Sequence, residues 1–167
     1  MPGLVRSDTE AEMTYSFKKQ FNFGRKQEKY LDELFMGKFN IRPANRAQER
    51  NGIDRIFTEI STGKIFTIQY KADKTAAHTG NAFVETVSVD TQNAPGWAVS
   101  CQADFIIYYI VDIGPAYVLR PRDIRKNLKM WQGKYDERRI PNRGYHTVGL
   151  LVPLREFENL SVAIVNV

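Results

Sequence analysis

Residues 53–72 read IDRIFTEISTGKIFTIQYKA, two apolar-rich runs of β-branched and aromatic residues separated by Thr62-Gly63. Runs of this composition broken by a Gly-containing pair predict an antiparallel hairpin, with strands over about Ile53–Ile60 and Lys64–Ala72. Side chains alternate across a strand, so Phe66, Ile68 and Tyr70 share an apolar face. Ile65, Thr67, Gln69 and Lys71 share the other, which starts neutral and ends polar. A two-residue turn at Thr62-Gly63 would pair Ser61 with Lys64, Ile60 with Ile65, Ile56 with Gln69 and Asp54 with Lys71. Opposed residues share a face roughly 5 Å apart, so Asp54, Gln69 and Lys71 would converge at one hairpin edge. A slip of one residue would send Asp54 to the other face.

A carboxylate, an amide oxygen and a lysine at a strand edge suit phosphodiester hydrolysis. Mg²⁺ takes oxygen ligands and keeps several waters. The ion offsets phosphate charge and lowers the pKa of a bound water, and a lysine steadies charge building on phosphorus. The plainer reading of the same residues is a cross-strand Asp–Lys pair with no function.

Outward from the hairpin, residues 24–39 read as a helix with Tyr30, Leu31, Leu34 and Phe35 on one side. Residues 1–15 are polar, aperiodic and acidic, and are expected to be a mobile tail ahead of a single domain over 16–167. Asn51-Gly52 is a turn signal and 73–80 a loop. Residues 82–89 fit a short helix or a strand equally. The run ADFIIYYIV at 103–111 predicts a strand buried on both faces, followed by a strand over 116–119. A helix is expected over 123–131, a basic loop over 132–145, and short strands over 148–151 and 162–167. Trp97, after a Pro-Gly turn, is expected to pack on the core. This order of elements is mixed α/β.

The chain has 167 residues, 43% hydrophobic and 26% charged, as soluble globular proteins are. No stretch approaches the roughly 18 apolar residues of a membrane span. Cys101 is the only cysteine, so it forms no internal disulfide and makes no thiolate zinc site on its own. With no secretory pattern at the start, a reducing, cytoplasmic location is expected. His78 and His146 are isolated, and there is no G-x-S-x-G elbow.

The net charge is +5 and the pI about 9.3, which favours a polyanionic partner. Between Arg120 and Arg143 nine basic residues outnumber three acidic ones, with Trp131 and Tyr135 among them. Interleaved this way, cations hold phosphates and rings cover bases or sugars, which makes Arg120, Arg138, Arg139 and Arg143 candidates for nucleic-acid binding. A solvated helix face followed by a basic loop accounts for the same pattern.

Several of these segments together resemble the PD-(D/E)XK nuclease superfamily of restriction endonucleases and Holliday junction resolvases. NGIDRIF, with Asp54, looks like its aspartate motif, and TIQYKAD, with Gln69 and Lys71, like its (D/E)-x-K motif. GRKQEKYLDELF resembles the first helix of resolvase-like members, and ADFIIYYIVDIGPAYVLRP the second half of the core sheet. The similarity covers roughly residues 24–125. It implies a restriction-endonuclease-like core, a mixed central β-sheet flanked by helices, and a Mg²⁺-dependent (or Mn²⁺-dependent) nuclease acting on duplex or branched DNA, with a homodimer left open. Asp54 and Gln69 would hold metal, Glu28 would add a carboxylate, and Lys71 would assist attack of water. Gln69 stands where the family has Asp or Glu. Glu85 would compensate as a carboxylate migrated to the next element, or is simply a surface residue; Glu49 is a weaker alternative. The rival expectations are a nucleic-acid-binding protein on the same fold without catalysis, and a basic assembly protein that meets DNA nonspecifically.

Overall fold

In the computed structural model, which describes residues 7–166 and the side chains of 19 and 22–166, the hairpin forms, but with a longer turn. Its strands are β2 (Arg55–Glu59) and β3 (Ile65–Asp73), preceded in the chain by α1 (Ser7–Phe35), β1 (Phe39–Pro43) and α2 (Arg46–Arg50). Arg55 faces Ile68 and Phe57 faces Phe66. The Glu59 amide bonds the Lys64 carbonyl, and Gly63, at φ +72°, closes a four-residue loop by donating to the Glu59 carbonyl. The Thr62 hydroxyl bonds the Glu59 carboxylate inside that loop, which favours it over the expected two-residue turn. The register therefore differs by two residues from the expected one. A two-residue shift preserves the face of every side chain. Continued one step past the paired residues, it sets Asp54 beside Gln69 instead of Lys71.

The chain continues through α3 (Ala76–Thr79), β4 (Asn81–Val89), a 3-10 turn at Asp90–Gln92, β5 (Ala94–Pro95), α4 (Trp97–Ser100), β6 (Phe105–Ile110) and β7 (Ala116–Leu119). It ends with α5 (Pro121–Lys134), β8 (Glu137–Pro141), β9 (His146–Pro153), α6 (Leu154–Leu160) and β10 (Ala163–Val165). The strands form two sheets, ordered β1-β2-β3-β6-β7-β10 and β5-β4-β9-β8. The first is mixed, because β6 runs parallel to β3 while its other neighbours are antiparallel. The apolar run at 105–110 is buried on both faces, as its composition requires. The crossover from β3 to β6 carries β4 and β5, and the connection from β7 to β10 carries β8 and β9, so the second sheet is built from two connections of the first.

One face of the first sheet, with Ile56, Ile106, Tyr108 and Ile110, packs into a common core with Ala82, Val84, Leu150 and Val152 of the second. Ile124, Trp131 and Phe157 of α5 and α6 complete that core, and Trp97 is buried in it as expected. The chain divides into two compact units, Met1–Gly37 and Lys38–Val167. All the strands belong to the second.

Several boundaries differ from the sequence expectations. Of the residues 1–15 read as a tail, 1–6 lie outside the described residues, and from Ser7 the backbone is helical. α1 stops at Phe35, and Phe39 opens β1 instead of ending the helix. Residues 82–89 resolve as strand β4. The expected basic loop at 132–145 is instead the last turn of α5, the strand β8 and a turn. All five β8 residues are exposed; the strand exists because β9 supplies a ladder for it, not because it buries an apolar face. Among the described residues no helix is long and apolar enough to cross a membrane.

Candidate functional site

Asp54 is attached to β3 at two points. α2 ends at Asn51, and Gly52, at φ +74°, turns the chain toward the sheet. A Cβ at Gly52 would lie 3.3 Å from the Gln69 Nε2 and 3.2 Å from the Cys101 Cα, so glycine permits both the turn and this close approach. The Asp54 amide then donates to the Ile68 carbonyl at 2.8 Å, and its Oδ2 accepts the Tyr70 amide at 2.7 Å. Burial raises the Asp54 pKa above its ordinary value, with Glu49 adding repulsion; the Tyr70 amide, Lys71 and Arg55 pull the other way and do not overcome it.

Gln69 and Lys71 lie on the core-facing side of β3, opposite Ile106 and Tyr108 of the parallel strand. The expectation that this face starts neutral and ends polar holds in sequence but not in exposure. Ile65 is 66% exposed and Gln69 only 7%. The Gln69 Oε1 is buried and accepts no hydrogen bond among the described residues. An unsatisfied buried carbonyl of this kind costs roughly 1–3 kcal/mol, so it asks for a ligand more than a surface amide would.

Glu85, on β4, also lies within electrostatic reach of Lys71, and it lines a cavity that Asp54 and Gln69 do not line. Burial raises its pKa, opposed by Lys71 and by a hydrogen bond from the Trp97 amide. Gly96 makes room for it: a Cβ there would fall 2.8 Å from the Glu85 Cγ and 2.3 Å from its carbonyl oxygen. The Lys71 ammonium is thus within electrostatic reach of two carboxylates, Asp54 and Glu85, both held above their ordinary range by burial.

A cavity of about 790 Å³ opens beside Lys71 and Glu85 and is also lined by Lys74, Arg138 and Arg139. Asp73, in the same wall, accepts the Ala76 amide at 2.8 Å and the Tyr108 hydroxyl. The Arg139 Nη2 reaches Asp90 at 2.8 Å.

The other expected residues lie elsewhere. Arg120 lines a separate cleft of about 520 Å³ with Phe66, Phe105, Arg122 and Arg125. Arg143 is exposed in the turn between β8 and β9, and Glu49 is exposed on α2. Glu28 is on α1, in the unit Met1–Gly37. His78 is exposed, and the His146 Nδ1 lies 3.4 Å from Asp90. Lys74 and Phe83, which line the cavity, escaped the sequence reading. For Phe83 the signal was the alternation 81, 83, 85, visible only once 82–89 is known to be a strand.

Among the described residues no three His, Cys, Asp or Glu side chains gather into a metal-binding group. Mg²⁺ does not require three, since one or two carboxylates with waters and substrate oxygens suffice. Two half-buried carboxylates, Asp54 and Glu85, and the buried Gln69 oxygen are hard oxygen donors of the right kind. Neither family models, curated proteins nor solved structures give a match to this chain.

Proposed function

We propose that the chain is a metal-dependent nuclease that hydrolyses phosphodiester bonds in DNA, on a restriction-endonuclease-like core. The observation that carries this reading is Lys71 within electrostatic reach of two half-buried carboxylates, Asp54 and Glu85, beside a buried Gln69 oxygen that has no hydrogen-bond partner among the described residues. Burial disfavours the charged form of both acids, and Lys71, joined by Arg55 at Asp54, only partly offsets it; a bound cation would supply the rest. The mixed sheet, with Lys71 on β3 and Asp54 just ahead of the neighbouring β2, is compatible with the core that the resemblance implies.

Asp54, Gln69 and Glu85 would hold the ion, Mg²⁺ or Mn²⁺. Glu28 as a further ligand rests on the resemblance alone. When bound, the ion would neutralise phosphate charge and lower the pKa of a coordinated water. Lys71 would orient the attacking water or stabilise charge on the phosphoryl oxygens. Water oxygen adds to phosphorus, the ester P–O bond breaks, and its electron pair leaves with the departing strand oxygen, which takes a proton. The products are a phosphate monoester and a hydroxyl end.

One residue favours a second reading, a nucleic-acid-binding protein without catalysis: Gln69 is a neutral ligand where an acid would bind the cation more strongly. Purified protein incubated with duplex and branched DNA in Mg²⁺, Mn²⁺ or EDTA separates the two. The nuclease reading expects cleavage with metal, none with EDTA, and a Gln69→Glu rate equal to or above wild type. Cleavage by Gln69→Glu but not by wild type would favour the binding protein. No cleavage by either would end the nuclease reading.

A further inference from the structure

We propose that the cavity beside Lys71 receives one unpaired nucleotide of a DNA strand, so that the site acts on DNA that is single-stranded at that point. The proposal rests on the nuclease reading and names the form of DNA it takes.

The alternation of β4 sorts its side chains. Ala82 and Val84 are wholly buried in the core, while Asn81, Phe83 and Glu85 line the cavity. The Phe83 ring lies across β9 at the one place where that strand has no side chain. A Cβ on Gly149 would come within 2.5 Å of the ring's Cζ. The ring reaches over Gly149 and forms part of the cavity wall, continued by Leu151 of β9 and Ile140 of β8. Ile140 is 43% exposed, so this apolar wall reaches solvent.

The same cavity carries Lys74, Arg138 and Arg139 besides Lys71. Of its carboxylates, Asp73 is engaged by the Tyr108 hydroxyl and the Ala76 amide, and Glu85 lies within electrostatic reach of Lys71. An apolar wall and a cationic rim thus share about 790 Å³, within the roughly 300–1,000 Å³ of pockets that enclose a small molecule.

Intact duplex DNA offers such a cavity only its phosphates, because its bases are paired and stacked inside. An unpaired nucleotide offers a base face for the wall and a phosphate for the rim. Stacking of a base on an aromatic ring is tolerant of sequence, and it adds to the phosphate attraction that any DNA would share.

The test is equilibrium binding in EDTA, where no cleavage intervenes, to three DNAs: a blunt duplex, the same duplex with a short 5′ or 3′ single-stranded overhang, and an overhang built of abasic sites. With one stacked base, the overhang of the preferred polarity should bind about 10-fold more tightly than blunt duplex, and the abasic overhang should lose that advantage. Phe83→Leu and Phe83→Ala should reduce the advantage in that order and leave blunt-duplex binding unchanged. Equal binding of blunt and overhang DNA at both polarities overturns the proposal, as does an abasic overhang that binds like the intact one. The abasic DNA decides the matter even if the Phe83 variants fold poorly. Overhang preference without cleavage in any metal would uphold the pocket and sink the nuclease reading. Cleavage without overhang preference would do the reverse.

Discussion

Two aspartates clip onto β3 with the same chemistry, and only one of them sits in a site. Asp104, just before β6, accepts the Thr67 amide at 2.8 Å and the Thr67 hydroxyl at 3.0 Å, and its own amide returns to the Thr67 carbonyl. Asp54, just before β2, donates its amide to Ile68 and accepts the Tyr70 amide. Asp104 is exposed and its partner is a neutral hydroxyl. Asp54 is half-buried, and of the two cations within its reach, Lys71 and Arg55, the first is shared with Glu85. The backbone clip is therefore an ordinary way to close a sheet. What marks Asp54 is the burial of a charge that the fold leaves incompletely compensated.

The largest expected difference between the two is in catalysis. Asp54→Asn keeps an oxygen for the Tyr70 amide and removes only the charge, so cleavage should fall about 10² to 10³-fold, by analogy with the loss of one preorganised electrostatic group. Asp104→Ala should leave the cleavage rate within a few-fold of wild type. It should instead lower stability by roughly 0.5–1.5 kcal/mol for each hydrogen bond lost. Equal loss of cleavage in both variants, measured under one set of conditions, would erase the distinction.

Stability should move in opposite directions. The Asp54 and Glu85 carboxyls are raised above their ordinary values in the folded state. Neither burdens the fold below the unfolded-state carboxylate range. As pH rises from there through the raised folded value, the unfolded chain releases protons that the folded chain retains, and stability falls. Asp54→Asn and Glu85→Gln should each abolish part of that fall and raise the melting temperature at neutral pH, with a gain of about 0.5–2 kcal/mol, the usual size of such site-relieving changes. Saturating Mg²⁺ should stabilise the wild type and do less for either variant. The acid limb of the cleavage profile should lie above the ordinary carboxylate range, because ionised acids are needed to hold the ion.

The smallest effect concerns the arginines. Arg138→Gln and Arg143→Gln should each flatten the log–log salt dependence of duplex binding by about 0.9 if each removes a phosphate contact. Arg139→Gln should do less, since Asp90 already engages its guanidinium. An unchanged slope in the triple variant would exclude this region as a phosphate contact.

Much of this was legible in the chain because it depends on alternation and turn chemistry. The hairpin, the shared face of Gln69 and Lys71, and the doubly buried β6 follow from residue patterns alone. The turn was misread because Glu59 and Lys64 pair across a four-residue loop, and the Asp54 face survived only because the shift was even. β8 carries no signal of its own: Glu137, Arg138 and Arg139 look like a solvated loop until β9 pairs with them. α6 was missed because it is seven residues long and buries only Phe157. The cavity could not be read at all, since it arises where a crossover folds into a second sheet and brings Glu85 and Arg138 from distant sequence positions to Lys71.

The most direct measurement is the Mg²⁺-dependent cleavage rate of Lys71→Ala against wild type, on duplex and branched DNA, with folding checked by circular dichroism and DNA binding measured in EDTA. Lys71 is the cation that both carboxylates share, so its loss should lower the rate by about 10² to 10³-fold while folding and most DNA binding persist. A wild type that cleaves, with a Lys71→Ala variant that cleaves equally well, would contradict the assignment of the site.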